Sequence, residues 1–347
     1  MEIIMKLVKQ TRMPGYNYDF YDNGMFLRWG YTKDHDPDFS PIGPEIADIE
    51  VSTICNGPNG TPCQWCYKSN TGQGENMSLE TFNIILSKLN ETKNLTQIAF
   101  GIGDIDANRD LIAMFRSCRS NSVVPNITVN GVRLDNLFEE KSYAQHIAEL
   151  CGAVAISHYG DDLCFNAVKK FTDLGMSRVN IHKILSDDTI DDCMDLVMKR
   201  MSDPRLERLN AIVFLLLKPK GSRNTMKQLT DMLKYKKLIK LAIHNDIKIG
   251  FDSCGANKFL EAVKDSPQYS MYSMLAEPCE SACFSIYINV RGEMYPCSFG
   301  EGAEGWETGI DVVNCGDFLK EVWYNPRVEE WRNKNIANCR NCIFYEI

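Results

Sequence analysis

No apolar run in the sequence approaches the roughly 20 residues that a helix needs to span a bilayer. Its start, through Phe20, has neither the apolar stretch nor the cleavage site of a signal peptide. These absences lead to the expectation of a soluble, cytoplasmic protein. Positive charge is also in short supply: 38 Lys and Arg stand against 46 Asp and Glu, a formal net charge of -8 with a pI near 5.3. Binding of nucleic acid or another polyanion is therefore not the expected main task. With no export signal, the 14 cysteines, scattered over 347 residues, do not read as the disulfide framework of a small secreted chain. A reducing compartment and a metal-centred use for some of them are expected instead. What the sequence does have is 44% hydrophobic residues, enough to bury a large core in one barrel-sized domain with a smaller one beside it.

The most informative stretch runs from Cys55 to Tyr67. Cys55 and Cys63 are separated by seven residues, Cys63 and Cys66 by two, and an aromatic follows directly. Gly57, Pro58, Gly60 and Pro62 fill the longer gap and suit a tight surface excursion. The preceding segment, 45–53, alternates apolar and polar residues as a strand does. The thiols then lie on a loop leaving a strand's C-terminal end, where β/α barrels carry their chemistry. Full protein ligation of a [4Fe-4S] cluster takes four cysteines, so three leave one iron open. Two cysteines at this spacing also suit zinc, and both readings stand at this point.

From Glu45 to about Cys254, strand and helix patterns alternate, as in a parallel sheet with helices outside. Ser78 opens a helix to about Leu89, with Phe82, Ile85, Leu86 and Leu89 on one face. A strand over 95–100 leads to Gly101, Gly103 and Asp104, where glycines admit close backbone approach and an acid suits a cation. A plain strand-to-helix turn has the same composition. Further strands bring Thr128 and Asn130, then Ser157, then Asn180 and His182 on one side, to their exits. The stretch 209–217 reads as a sixth strand, and 246–255 as a seventh leaving the barrel. Asp252 and Cys254 alternate onto one side of it and are catalytic candidates facing substrate, Cys254 as a thiol that donates a hydrogen atom. A buried structural thiol is the alternative. Residues 1–44 read as an N-terminal hairpin capping the barrel.

The tail holds a second cysteine set. Cys279 is followed after twelve residues by Gly292 and after four more by Cys297, and much later come Cys339 and Cys342. A hairpin from Phe284 to Tyr295, turning at Arg291 and Gly292, would bring the first two thiols together. Cys283 competes with Cys279, but only eight residues separate it from Gly292. Phe318 to Trp323, with Trp331, carries apolar residues at helical spacing that would pack the tail on the barrel.

In order and spacing these motifs resemble the radical S-adenosylmethionine (SAM) superfamily over residues 45–347. Members carry three cysteines, spaced by three and two residues, after the first barrel strand, with an aromatic after the third. Here Tyr67 and the second gap match, and the first gap is longer. The tail resembles the Twitch form of the auxiliary-cluster domain, since the further cysteine series of the SPASM form is absent. The resemblance implies an α/β fold: a partial (β/α)6 TIM-like barrel over 45–254 and a small hairpin-and-helix auxiliary-cluster domain over 255–347. It implies a [4Fe-4S] cluster on Cys55, Cys63 and Cys66 with SAM on the open iron, and an auxiliary [4Fe-4S] cluster on Cys279, Cys297, Cys339 and Cys342. Contacts to SAM would come from Tyr67, Gly101, Gly103, Asp104, Thr128, Asn130, Ser157, Asn180 and His182. The activity implied is reductive cleavage of SAM to a 5′-deoxyadenosyl radical, with electrons from a flavodoxin- or ferredoxin-type donor. That radical would take a hydrogen atom from a peptide or protein side chain, in a maturase or oxidoreductase reaction. Oxidation or rearrangement of a small molecule or nucleotide is the alternative, and a zinc-bound scaffold without activity is the third reading.

Overall fold

The computed structural model describes residues 5–32 and 35–345 of the chain. Three strands come first, β1 (Leu7–Met13), β2 (Tyr16–Tyr21) and β3 (Phe26–Trp29), joined in an antiparallel sheet of their own. The expected hairpin is thus a three-stranded sheet. Tyr16, Tyr18 and Phe20 alternate onto its inner face, where they pack with Cys283 and Phe284.

The core strands are β4 (Ile46–Glu50), β5 (Gln97–Gly101) and β6 (Val124–Val129). A small antiparallel ribbon follows, β7 (Leu137–Phe138) with β8 (Lys141–Ser142). The core then continues with β9 (Ala153–Ser157), β10 (Val179–Leu185), β11 (Ala211–Leu216) and the short β12 (Ile249–Phe251). Each pairs in parallel with the next, so spatial order follows chain order. Six helices fill the crossovers: α1 (Leu79–Leu89), α2 (Leu111–Ser120), α3 (Tyr143–Leu150), α4 (Asp161–Asp173), α5 (Ile190–Ser202) and α6 (Met232–His244). The first starts where expected, with Ser78 Oγ accepting from the Thr81 N–H at 3.1 Å.

Right-handed crossovers between neighbours in chain order put every helix on one face and leave the other to curl around an interior. Burial follows that division. Ile98, Phe100, Ile127 and Val129 are sealed against helices, whereas Thr128, Ser157, Asn180 and His182 on the opposite face are half-buried. Asp48 is exposed although β4 has a strand on either side, because the space it faces is the inside of the curl.

After α7 (Ala256–Val263) and α8 (Tyr269–Leu275) the expected hairpin forms from β13 (Ser285–Ile288) and β14 (Glu293–Tyr295), and β15 (Ile310–Asp311) joins its edge. Gly292 supplies the positive φ, +82°, that the turn requires. The hairpin does not stand apart. β13 pairs in parallel with β4, Ser285 opposite Ile46, so the tail continues the core's own sheet to ten strands. A π-helical turn, Leu319–Trp323, and α9 (Pro326–Ala337) fasten this end. Trp323 Nε1 donates to the Ser40 carbonyl at 2.9 Å, and buried Arg332 donates to the carbonyls of Ala282 and Trp323. Among the described residues no helix is long and apolar enough to cross a membrane.

Candidate active site

The loop after β4 carries Cys55, Cys63 and Cys66 over the C-terminal ends of the strands. It is pinned at several points. The Cys55 N–H donates to the Thr71 carbonyl at 2.7 Å, and the Asp104 N–H to Ile54 at 3.2 Å. Arg223 gathers the far side, donating to the carbonyls of Cys63, Ser69 and Asn70. Gly103 makes room: a Cβ there would lie 2.3 Å from Cys55 Cβ. The three thiols come close enough that the charge of each bears on the next. Burial pushes the Cys55 thiol up to about 11, and a bound metal centre would draw the proton off. A partly buried set of three thiols whose charges bear on one another fits an iron-sulfur centre. Among the described residues no three His, Cys, Asp or Glu side chains gather as the shell of a single metal ion. A cubane asks for a wider spread, since each thiolate sits on its own iron.

The residues expected around SAM are divided. Thr128, Ser157 and His182 face the interior of the curled sheet. Burial pushes the His182 imidazole down to about 4, leaving it neutral. Asn180 shares that face but accepts from Asn210 at 2.8 Å. Gly101 ends β5 against the Glu50 backbone. Asp104, expected to meet an ammonium group, is engaged by the protein instead. Its carboxylate pairs with Arg133 at 2.7 Å and accepts from the Asn56 N–H and side chain at 2.9 and 2.8 Å. Burial alone would raise this carboxyl, but the Arg133 and Asn56 hydrogen bonds outweigh it and hold it below the ordinary range. Asp104 thus seats the cysteine loop, and Asn130 braces the same turn through the Gly103 carbonyl at 3.3 Å. Tyr67 packs its ring on Phe299 of the tail at 4.5 Å, and its hydroxyl meets Ser298.

Sequence reasoning missed Tyr159, whose hydroxyl reaches Cys63 and Ser157 and whose ring stacks on Trp65 at 6.1 Å. It also missed a charged network beneath the loop. Lys68 Nζ donates to Tyr287 Oη at 2.7 Å and pairs with Glu50 at 3.2 Å and with Glu301. Tyr287 Oη in turn donates to Glu50 at 2.9 Å. The cysteine loop, β4, β13 and the tail meet in these four side chains. Only an aromatic next to a thiol and an acid ending a strand hinted at them.

The second thiol group corrects two further expectations. Asp252, expected to face substrate, is engaged within the protein: it pairs with the buried Lys218 and accepts from the Leu216 N–H at 3.1 Å. Cys254, expected as a hydrogen-atom donor, does not stand alone, because its thiol and that of Cys342 bear directly on one another. Cys279 and Cys297 lie close enough to feel its charge. Cys339, by contrast, is exposed. Cys283 is buried among the N-terminal aromatic residues, with Asn335 Nδ2 3.7 Å from its sulfur.

Comparison with known proteins bears on both groups. Residues 279–343 match the SPASM family model, an iron-sulfur cluster-binding domain. The chain is similar in structure to SuiB of Streptococcus suis bound to its precursor peptide SuiA, with TM-score 0.64 and 15% identity over 84% of this chain and 67% of that one. It is similar also to SuiB bound to S-adenosylmethionine, with TM-score 0.61 and 15% identity over 84% and 68%. At that identity the likeness is one of fold. No curated protein matches by sequence. The C-terminal region thus matches an iron-sulfur cluster-binding domain in sequence, and the chain as a whole shares the fold of SuiB.

Proposed function

We propose that this chain is a radical SAM enzyme that modifies a side chain of a peptide or protein. The observation that carries the reading is the gathering of Cys55, Cys63 and Cys66 at the open end of a curled parallel sheet. Its support from outside is that SuiB, which shares the fold, has been seen with S-adenosylmethionine and with a precursor peptide. Cys55, Cys63 and Cys66 would hold the first [4Fe-4S] cluster, and the tail thiols the auxiliary one. When bound, the cluster and SAM supply one-electron cleavage to a 5′-deoxyadenosyl radical able to abstract hydrogen. The chain's own share is orientation and exclusion of water. Arg223 and Asp104 fix the loop, and Tyr159 presents its hydroxyl beside Cys63. Thr128, Ser157 and the neutral His182 line the space where the nucleoside would lie, and Asp48 places a carboxylate on the wall facing substrate.

The test is anaerobic reconstitution with SAM and dithionite, followed by chromatography for 5′-deoxyadenosine. Wild type should form it, Cys66→Ala should form none, and Cys342→Ala should retain cleavage uncoupled from substrate. A wild-type protein that takes up zinc, holds no sulfide and leaves SAM intact overturns the reading.

A further inference from the structure

The geometry points to Cys254, Cys279, Cys297 and Cys342 as the four ligands of the auxiliary cluster, with Cys339 outside the set. This rests on the reading of the tail as cluster-binding and assigns its ligands. Four segments distant in sequence converge here. The turn after β12 is fixed by Asp252, whose carbonyl accepts from the Gly255 N–H at 2.8 Å and whose carboxylate is bound to Lys218. Two residues further on, the Asn257 side chain touches that of Asn341, which brings the Cys254 turn against the residue preceding Cys342. Cys279 is tied to the same strip of tail, its N–H donating to the Arg340 carbonyl at 3.1 Å and its carbonyl accepting from Arg340 Nε at 2.9 Å. The loop after Cys297 reaches it too, since Gly300 lies directly against the Phe344 ring. Among the four, the Cys254 and Cys342 thiols are the pair that bear most directly on one another.

Cys339 is placed differently. It follows α9, its N–H closing on the Ile336 carbonyl at 3.0 Å, and it adopts a left-handed conformation with φ of +52°. It is an exposed member of the tail's cysteine pair. The pair's spacing of two residues therefore does not by itself make both thiols ligands. Lys218, 3% exposed and paired with Asp252, brings a cation near Cys254, Cys297 and Cys342, with its ammonium 4.9 Å from the Phe299 ring centroid. Positive charge next to such an anionic centre offsets part of the cost of burying it. The consequence for the fold is that the last core strand would contribute a ligand to a cluster otherwise held by the tail.

The experiment uses the full chain with Cys55, Cys63 and Cys66 all changed to Ala, so that any iron belongs to the second site. After anaerobic reconstitution, this background should hold about four iron and four acid-labile sulfide per chain. Adding Cys339→Ala should leave both counts and the electron paramagnetic resonance signal of the reduced protein unchanged. Adding Cys254→Ala should remove at least a quarter of the iron and change that signal. Circular dichroism shows whether the variant folds. If it does not, Cys254→Ser is read instead, by its shifted resonance signal at retained fold. Loss of iron with Cys339→Ala, or full iron and an unchanged signal in a folded Cys254 variant, overturns the assignment. A background protein with no iron and sulfide fails at the earlier step, the presence of a cluster in the tail. The 5′-deoxyadenosine assay on wild type reads the first cluster separately.

Discussion

Gly103→Ala tests how closely the cysteine loop is seated on the barrel. An added Cβ would stand 2.3 Å from Cys55 Cβ, 2.6 Å from the Ile54 carbonyl oxygen and 3.0 Å from Cys55 Cα. Non-bonded carbons rest about 3.5–4.0 Å apart, so the loop must retreat by roughly 1 Å. None of the obstructing atoms is the far end of a flexible side chain. The retreat pulls on the 3.2 Å hydrogen bond from the Asp104 N–H to Ile54, one of the ties that hold Cys55 in place. Overpacking of this kind costs about 1–3 kcal/mol. In a domain of this size each kcal/mol lowers Tm by about 2–4 °C. Misplacement of a reacting centre by 1 Å costs about 100-fold in rate, so 5′-deoxyadenosine formation should fall by about that factor. The assay pairs a thermal melt with product analysis under anaerobic conditions. Gly250→Ala is the control, because its added Cβ meets only Val213 Cγ2, at an ordinary 3.6 Å. A Gly103→Ala protein with unchanged Tm and undiminished product formation would refute the argument.

Other perturbations probe the frame around the site. Trp323→Ala removes a fully buried ring, its hydrogen bond to Ser40 and the Arg332 guanidinium stacked 4.5 Å above it. Urea unfolding should show a loss of about 3–5 kcal/mol, and less than about 1 would mean the tail is not fastened there. Asp48 is open to the interior of the curled sheet, yet the protein enclosing that interior keeps bulk water at a distance and pushes its carboxyl up to about 7, and neighbouring Glu280 adds to the effect. The native state then keeps a proton that the unfolded chain has released, so stability falls as pH rises from about 4 to about 7 and levels off above. Asp48→Asn should flatten that part of a Tm–pH curve, and an identical slope in the variant counts against the assignment. Arg223→Ala removes three contacts to loop carbonyls, so amide exchange across 63–70 should quicken while the core strands stay protected.

Local physics made much of the fold legible. Alternation and apolar runs located the core strands, Ser78 marked a helix start, and Gly292 marked the hairpin turn. What stayed hidden depends on partners distant in sequence. Nothing in 285–288 announces that it lies against 46–49, because edge pairing is chosen by which strand is left open and not by either strand's pattern. An acid at a strand exit reads the same whether it faces a ligand or a guanidinium, so Asp104 and Asp252 were assigned outward roles that Arg133 and Lys218 take away. The Glu50, Lys68, Tyr287 and Glu301 network escaped for the same reason. The three cysteines of the first loop could be grouped from the sequence because they lie close together in it. The nearness of Cys254 to Cys342 could not be read, since 87 residues lie between them.

The pairing of β13 with β4 removes the natural place to cut this protein. A fragment ending near residue 254 would leave the first core strand with a bare flank of unpaired N–H and C=O groups, a template for stacking against other copies. Such a piece should collect in inclusion bodies and not behave as a smaller enzyme. Because both thiol groups ride on one continuous ladder, the spacing between them is a matter of covalent geometry and strand packing.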